Sequence, residues 1–262
     1  MSGRLADLLD RVRKEYVQVM VDNGISEPYR TAHRVCNTRL WLSGPDLASL
    51  IEEDPKLLSA RAGELIDDDR ERSNPCVGAI VTSNIVAAAL EGLLAVAVNR
   101  SWLDVDSDGR VLVDAHELDA VTPVTGVDYS DAGDFTPERG RSRLSTIFNA
   151  AEDSYLERLA EGPHDAYQLA LLVASDYSIF TPEDLAPLIV ENPLLLGLRA
   201  DDLVDEELFD GDPPAGIIIS AHLTEMLVQQ LVERGMEEGA VGHDPDGHPI
   251  ISATDEDNPT VH

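Results

Sequence analysis

Lysine is nearly missing from this 262-residue chain: Lys14 and Lys56 stand alone, and 19 basic side chains in all face 50 acidic ones. A net charge of -31 repels itself in dilute buffer, whereas at 1 M salt the Debye length falls to about 3 Å and hides that repulsion. The expectation is a fold that needs salt. Cysteine is scarce as well. Cys36 and Cys76 are too few and too far apart for a disulfide framework or a zinc site, which leaves them as small apolar residues. No glycine-rich phosphate loop, no Gly-x-Ser-x-Gly and no His-Glu-x-x-His occurs, and the nearest fragment, His116-Glu117, lacks a second histidine. Catalytic residues, cofactor sites and metal sites are therefore each expected to be none, and the protein is not expected to be an enzyme. The first residues, Met1-Ser2-Gly3-Arg4-Leu5, carry no hydrophobic signal core, so the expected location is a high-salt cytoplasm or a virion.

What the chain does have is one long apolar run, Ala79 to Val98. It approaches membrane-spanning length, but Thr82, Ser83, Asn84, Glu91 and Gly92 interrupt it, and Glu91 is costly in lipid. A buried core helix is expected, with no membrane partner. After it, Trp102 to Val105 and Arg110 to Val113 flank Asp106-Ser107-Asp108-Gly109. That is the pattern of a β-hairpin whose Asp-Gly pair supplies the positive φ of a tight turn.

The same helix-plus-hairpin unit recurs 138 residues later. Without a gap, Gly24 falls on Gly162, Tyr29 on Tyr167, Asp46-Leu47-Ala48 on Asp184-Leu185-Ala186, and Pro55 on Pro193. Arg61 falls on Arg199, Gly78 on Gly216, and Asp106, Asp108 and Gly109 on Asp244, Asp246 and Gly247. The matched residues are helix starters, turn formers and apolar positions, which is what a duplicated scaffold needs. Two copies predict a pseudo-symmetric pair, since a solenoid takes three or more. Within the first copy, apolar spacing predicts a helix over Leu5 to Asp22, a second opening at Glu27-Pro28, a third at Ser43-Gly44-Pro45-Asp46, and a restart at Pro55. The expected fold class is mainly α: two homologous helical domains, residues 1–115 and 148–253, each ending in a β-hairpin. A Gly- and Pro-rich acidic linker covers 116–147 and an acidic tail covers 254–262.

Asp104, Asp106, Asp108 and Gly109 occupy positions one, three, five and six of a calcium-binding EF-hand loop, but position twelve is Ala115, where a bidentate glutamate is needed. A plain turn is expected there. The helix and hairpin resemble a winged-helix DNA-binding domain over about 25 residues of each copy, most clearly from Leu227 to Ile251. That resemblance implies a recognition helix with a polar or basic face. The first copy offers only Asn84 and Glu91 for this; the second has His222, Thr224, Gln229, Gln230 and Arg234. Basic side chains cluster twice, as Arg30, Arg34 and Arg39 in helix two and as Arg139, Arg141 and Arg143 in the linker, and neither cluster is repeated. With Arg234 and the hairpin tips (Asp106, Asp108, Gly109, Asp244, Asp246, Gly247), these are the candidate contacts to a partner or to nucleic acid. The competing reading pairs the arginines with the protein's own carboxylates.

The acid-rich, lysine-poor composition resembles that of proteins from extremely halophilic archaea and their viruses. The function expected is a non-catalytic structural or assembly component of such a source, for example a virion head, neck or tail connector. It would act through protein–protein contacts in a homo-oligomer or larger assembly. The alternative is a DNA-binding regulator with tandem winged-helix domains.

Overall fold

The computed structural model describes residues 3–62, 75–118, 142–161, 165–200 and 212–241, and these are mainly helical. In chain order the helices are α1 (Arg4–Asp22), α2 (Pro28–Arg39), α3 (Gly44–Glu53), α4 (Val77–Asn99), α5 (Ala115–Leu118), α6 (Arg143–Ala160), α7 (Ala166–Tyr177), α8 (Pro182–Glu191) and α9 (Ala215–Glu237). Short 3-10 turns follow α3 at Pro55–Ser59 and α8 at Pro193–Gly197. The bounds of α7, α8, the second 3-10 turn and α9 each lie 138 residues beyond those of α2, α3, the first 3-10 turn and α4.

Local chemistry accounts for these boundaries. Ser43 caps α3 by accepting from Asp46 N, and Thr181 caps α8 in a reciprocal capping box with Asp184; both helices carry proline at a first-turn position, where its missing N–H costs nothing. Pro55 does not restart an α-helix as the sequence suggested. Asp54 leaves helical geometry (φ -137°) and the chain makes a single 3-10 turn instead. α1 ends at Asn23, and Gly24 (φ 69°) turns the chain so that Ile25 N bonds back to Met20 O at 2.8 Å, a C-terminal closure built on the left-handed residue.

The chain separates into two compact units, residues 1–135 with 181–219, and residues 136–180 with 220–262. In the first, α1 inserts Val12, Tyr16 and Met20, one stripe four residues apart, and α4 buries Val77, Ile80, Val81, Ile85, Val86, Leu90, Leu93 and Val96. Each such side chain contributes roughly 1.5–3 kcal/mol when fully removed from water. α4 packs against α1, α2 and α3, and α3 packs against α8. In the second unit α6 packs on α7, with Phe148, Ala151 and Tyr155 meeting a core that includes Leu169, Val173, Leu223, Leu227 and Leu231. α4 and α9 are both long and apolar enough to cross a membrane by length and composition, and α4 spends that apolar surface on its helical neighbours.

Two stretches differ in detail from their sequence reading. The first is the hairpin after α4. Among the described residues there is no strand; Val105 and Val111 form one isolated antiparallel bridge around the turn. Asp106 organises that turn, accepting Asp108 N and Arg110 N at 2.8 Å each on Oδ1, while Gly109 supplies φ 81°. Val105 and Leu112 stay exposed while Leu103 is buried and Val111 and Val113 are half-buried, and a short two-stranded ribbon is marginal in water. The second is the linker. Residues 115–118 are helical, and Arg143 is the first residue of α6, capped by Ser142 Oγ accepting Ser145 N at 3.1 Å. Residues 119–141, with Arg139 and Arg141, and residues 242–253, with Asp244, Asp246 and Gly247, lie outside the described residues.

Candidate functional site

Arg39, one of the arginines singled out from the sequence, lines an open trough of ≈ 820 Å³ in the first unit. Its charged walls are Arg4, Asp7, Arg11, Glu15, Arg39 and Asp46, over a floor of Leu8, Val12, Leu42 and Leu50. The charges answer one another. Arg39 Nε donates to Glu15 at 2.6 Å, a bond that raises its already high pKa, and Arg4 Nε lies 2.9 Å from Glu53. A trough of this kind can accept a polar surface that exchanges for water. Burial pushes the Cys36 thiol up to about 12, and a thiol in that range holds almost no thiolate at neutral pH.

The remaining sequence candidates are scattered. Arg30 pairs with Glu27 at 3.2 Å on the exposed start of α2, and Arg34 is exposed one turn further on. Arg234, in the other unit, lies within 3.1 Å of Glu152, 2.7 Å of Glu237 and 2.9 Å of Glu238. Gln229 donates to Glu233 at 3.0 Å and Gln230 to Glu152 at 3.2 Å. Three of the polar side chains that would make α9 a DNA-reading helix are thus engaged within the chain.

The sequence singled out His116-Glu117 only as an incomplete motif, and its role is structural. Glu117 is 4% exposed, and its Oε2 accepts Tyr29 N at 2.9 Å and Arg30 N at 3.1 Å, two of the orphan donors at the start of α2. The residue in the cap position, Glu27, is left-handed (φ 51°), and a capping side chain needs extended backbone there. No sequence signal marks a cap that comes from 88 residues away. Asp114, His116 and Glu117 also place one ligand atom each within 4.8 Å of one another, and in that cluster Glu117 is the member already engaged by α2.

The sequence also left unremarked two exposed apolar side chains at equivalent places. Trp41, between α2 and α3, is 63% exposed, and Ile179, between α7 and α8, is 82% exposed; their numbers differ by 138. No protein-family model, no curated protein and no solved structure matches the chain.

Proposed function

We propose that the chain is an internally duplicated, non-catalytic assembly component of a salt-rich environment, from a halophilic archaeon or its virus, which acts by binding further protein subunits. The duplication reading is supported by four pairs of elements whose bounds share one offset. A similar bond recurs with the donor one residue out of step: Tyr16 Oη donates to Pro28 O, and Tyr155 Oη to Ala166 O, both at 3.1 Å.

One observation carries the assembly reading over tandem winged helices: the burial of α4. A recognition helix must present polar side chains to a groove, whereas the exposed positions of α4 are Ala88, Glu91, Gly92, Ala95 and Asn99, with no cation among them. Trp41 and Ile179 provide contact points of the type that anchors interfaces, Trp above all. Light scattering in molar KCl tests the proposal: an oligomer or co-purifying partner is expected, with Trp41→Ala and Ile179→Ala weakening it. A strict monomer without partners, or a retarded band with upstream DNA at high salt, defeats it.

A further inference from the structure

Residues 44–62 and 75–81 meet residues 182–200 and 212–219 inside the first unit, and they meet reciprocally. Arg61 forms an antiparallel bridge with Pro214, and Cys76 forms one with Arg199. The second pair is the first with partners exchanged, because Arg199 stands 138 residues after Arg61 and Pro214 stands 138 after Cys76. The hydrogen bonds repeat the exchange: Ala215 N donates to Ala60 O, and Val77 N to Leu198 O, each at 2.9 Å. The packing follows the same rule. The first 3-10 turn lies on α8 and the second on α3, and the second also lies on α4. At the start of α9, a Cβ on Gly216 would stand 3.3 Å from Leu58 Cβ and 3.6 Å from Leu185 Cδ1. Equivalent side chains are equally buried, Leu47 with Leu185, Ile51 with Ile189, Leu58 with Leu196, and Ile80 with Ile218, all at 0 or 1% exposure.

A repeat alone does not produce this. Two copies related by translation touch through different faces, so that a contact from residue i to residue j has no mate from j to i. Exchange of partners is the mark of a two-fold, isologous interface. We infer that the surface formed by residues 44–62 and 75–81 is self-complementary, and that the partner it fits is a second copy of the same repeat, supplied in this chain by residues 182–200 and 212–219. The chain then holds, within one polypeptide, an interface that two separate copies of the repeat would form. The inference rests on the duplication proposed above.

Reciprocal disulfides in the full-length protein test it. Antiparallel bridge partners have Cα atoms about 4.5–5.5 Å apart, inside disulfide reach. One variant carries Arg199→Cys opposite native Cys76; the other carries Arg61→Cys and Pro214→Cys with Cys76→Ala, and both carry Cys36→Ala. A protease site inserted after Gly126 allows the folded chain to be cut in molar KCl. Both pairs are expected to lock the two pieces together on a non-reducing gel, at rates within about threefold of each other given similar thiol access. Without any cross-link, the two pieces of the cut chain are expected to co-elute. Locking of one pair while the other stays free, or separation of the cut pieces in molar salt, overturns the inference. A monomer in light scattering would defeat the assembly proposal and leave this interface standing, so the two failures are separable.

Discussion

The starts of α2 and α7 are equivalent in number and opposite in construction. At α7 the cap is local: Asp165 lies in extended backbone (φ -66°, ψ 109°), and its Oδ1 accepts Tyr167 N at 3.0 Å and Gln168 N at 3.1 Å. At α2 the equivalent residue, Glu27, is left-handed, and the same two donors are satisfied by Glu117. The local cap costs little to form and ties nothing down. The remote cap pins the segment after α4 to the start of α2, a long-range closure whose entropy must be recovered by the contacts that segment makes. Trp102 supplies some of these, edge-on to Tyr16 at 6.0 Å and beneath Arg100 at 5.2 Å. The same hydrogen-bonding requirement has thus been met once by sequence and once by tertiary structure.

The strongest way to break this comparison is to remove the salt. Below about 0.1 M KCl the Debye length exceeds about 10 Å, and a chain of net charge -31 should lose its helical circular dichroism and regain it in molar KCl. Helicity unchanged at low salt would show that carboxylate repulsion is not what the fold contends with. Next in size is the cap itself. Glu117→Ala strands two helix donors beneath a buried site and should cost about 2–3 kcal/mol in chemical denaturation, against about 1 kcal/mol for Asp165→Ala, where water replaces the lost partner. Equal costs would mean that burial of Glu117 adds nothing.

A third test exchanges residues between positions 138 apart. Gly235 in α9 is equivalent to Ala97 in α4, which is fully buried. A Cβ at Gly235, however, would meet the Tyr155 hydroxyl and stand 2.8 Å from Val241 Cγ2. Gly235→Ala should therefore lower the thermal midpoint: overpacking costs about 1–3 kcal/mol, and the helical preference of alanine returns at most about 1 kcal/mol. A raised midpoint would show that this site yields as readily as the one around Ala97.

The smallest expected effect concerns His33, buried in α2 with its ring centroid 4.7 Å from that of Tyr29 and its Nε2 without a hydrogen-bond partner among the described residues. Burial holds His33 below its ordinary value near 6.5. The unfolded chain then binds its proton more readily, so this contribution is fully present above about pH 6.5 and is lost as pH falls through the depressed folded value. His33→Leu, which installs the residue found at the equivalent Leu171, should flatten the stability difference between about pH 7.5 and 5.5. If wild type and variant lose stability in parallel across that range, His33 is not the group responsible.

Much of the fold was legible because local signals agreed. The stripe Val12, Tyr16, Met20, the Ser43 and Thr181 caps, and the apolar run from Ala79 each name a helix without reference to the rest of the chain. The turn at Asp106 to Gly109 was legible too, whereas the ribbon around it was not, since a β-prone sequence yields strands only where a neighbour covers one face. The candidate arginines stand out in the sequence, yet their partners do not. Arg39 finds Glu15 24 residues upstream, and Arg234 finds Glu152 in a preceding helix, and with 50 carboxylates no spacing rule selects among them.

By itself, then, the sequence marked the longer helices, the Ser43 and Thr181 caps and the offset of 138 between matching residues, because caps, prolines and apolar period act within a few residues. The tertiary structure alone decided that residues 44–62 and 75–81 meet 182–200 and 212–219 by exchange of partners, and that Glu117 closes α2. Those bonds join groups far apart in the chain, and whether they form depends on which surfaces burial brings together, a choice no local spacing encodes.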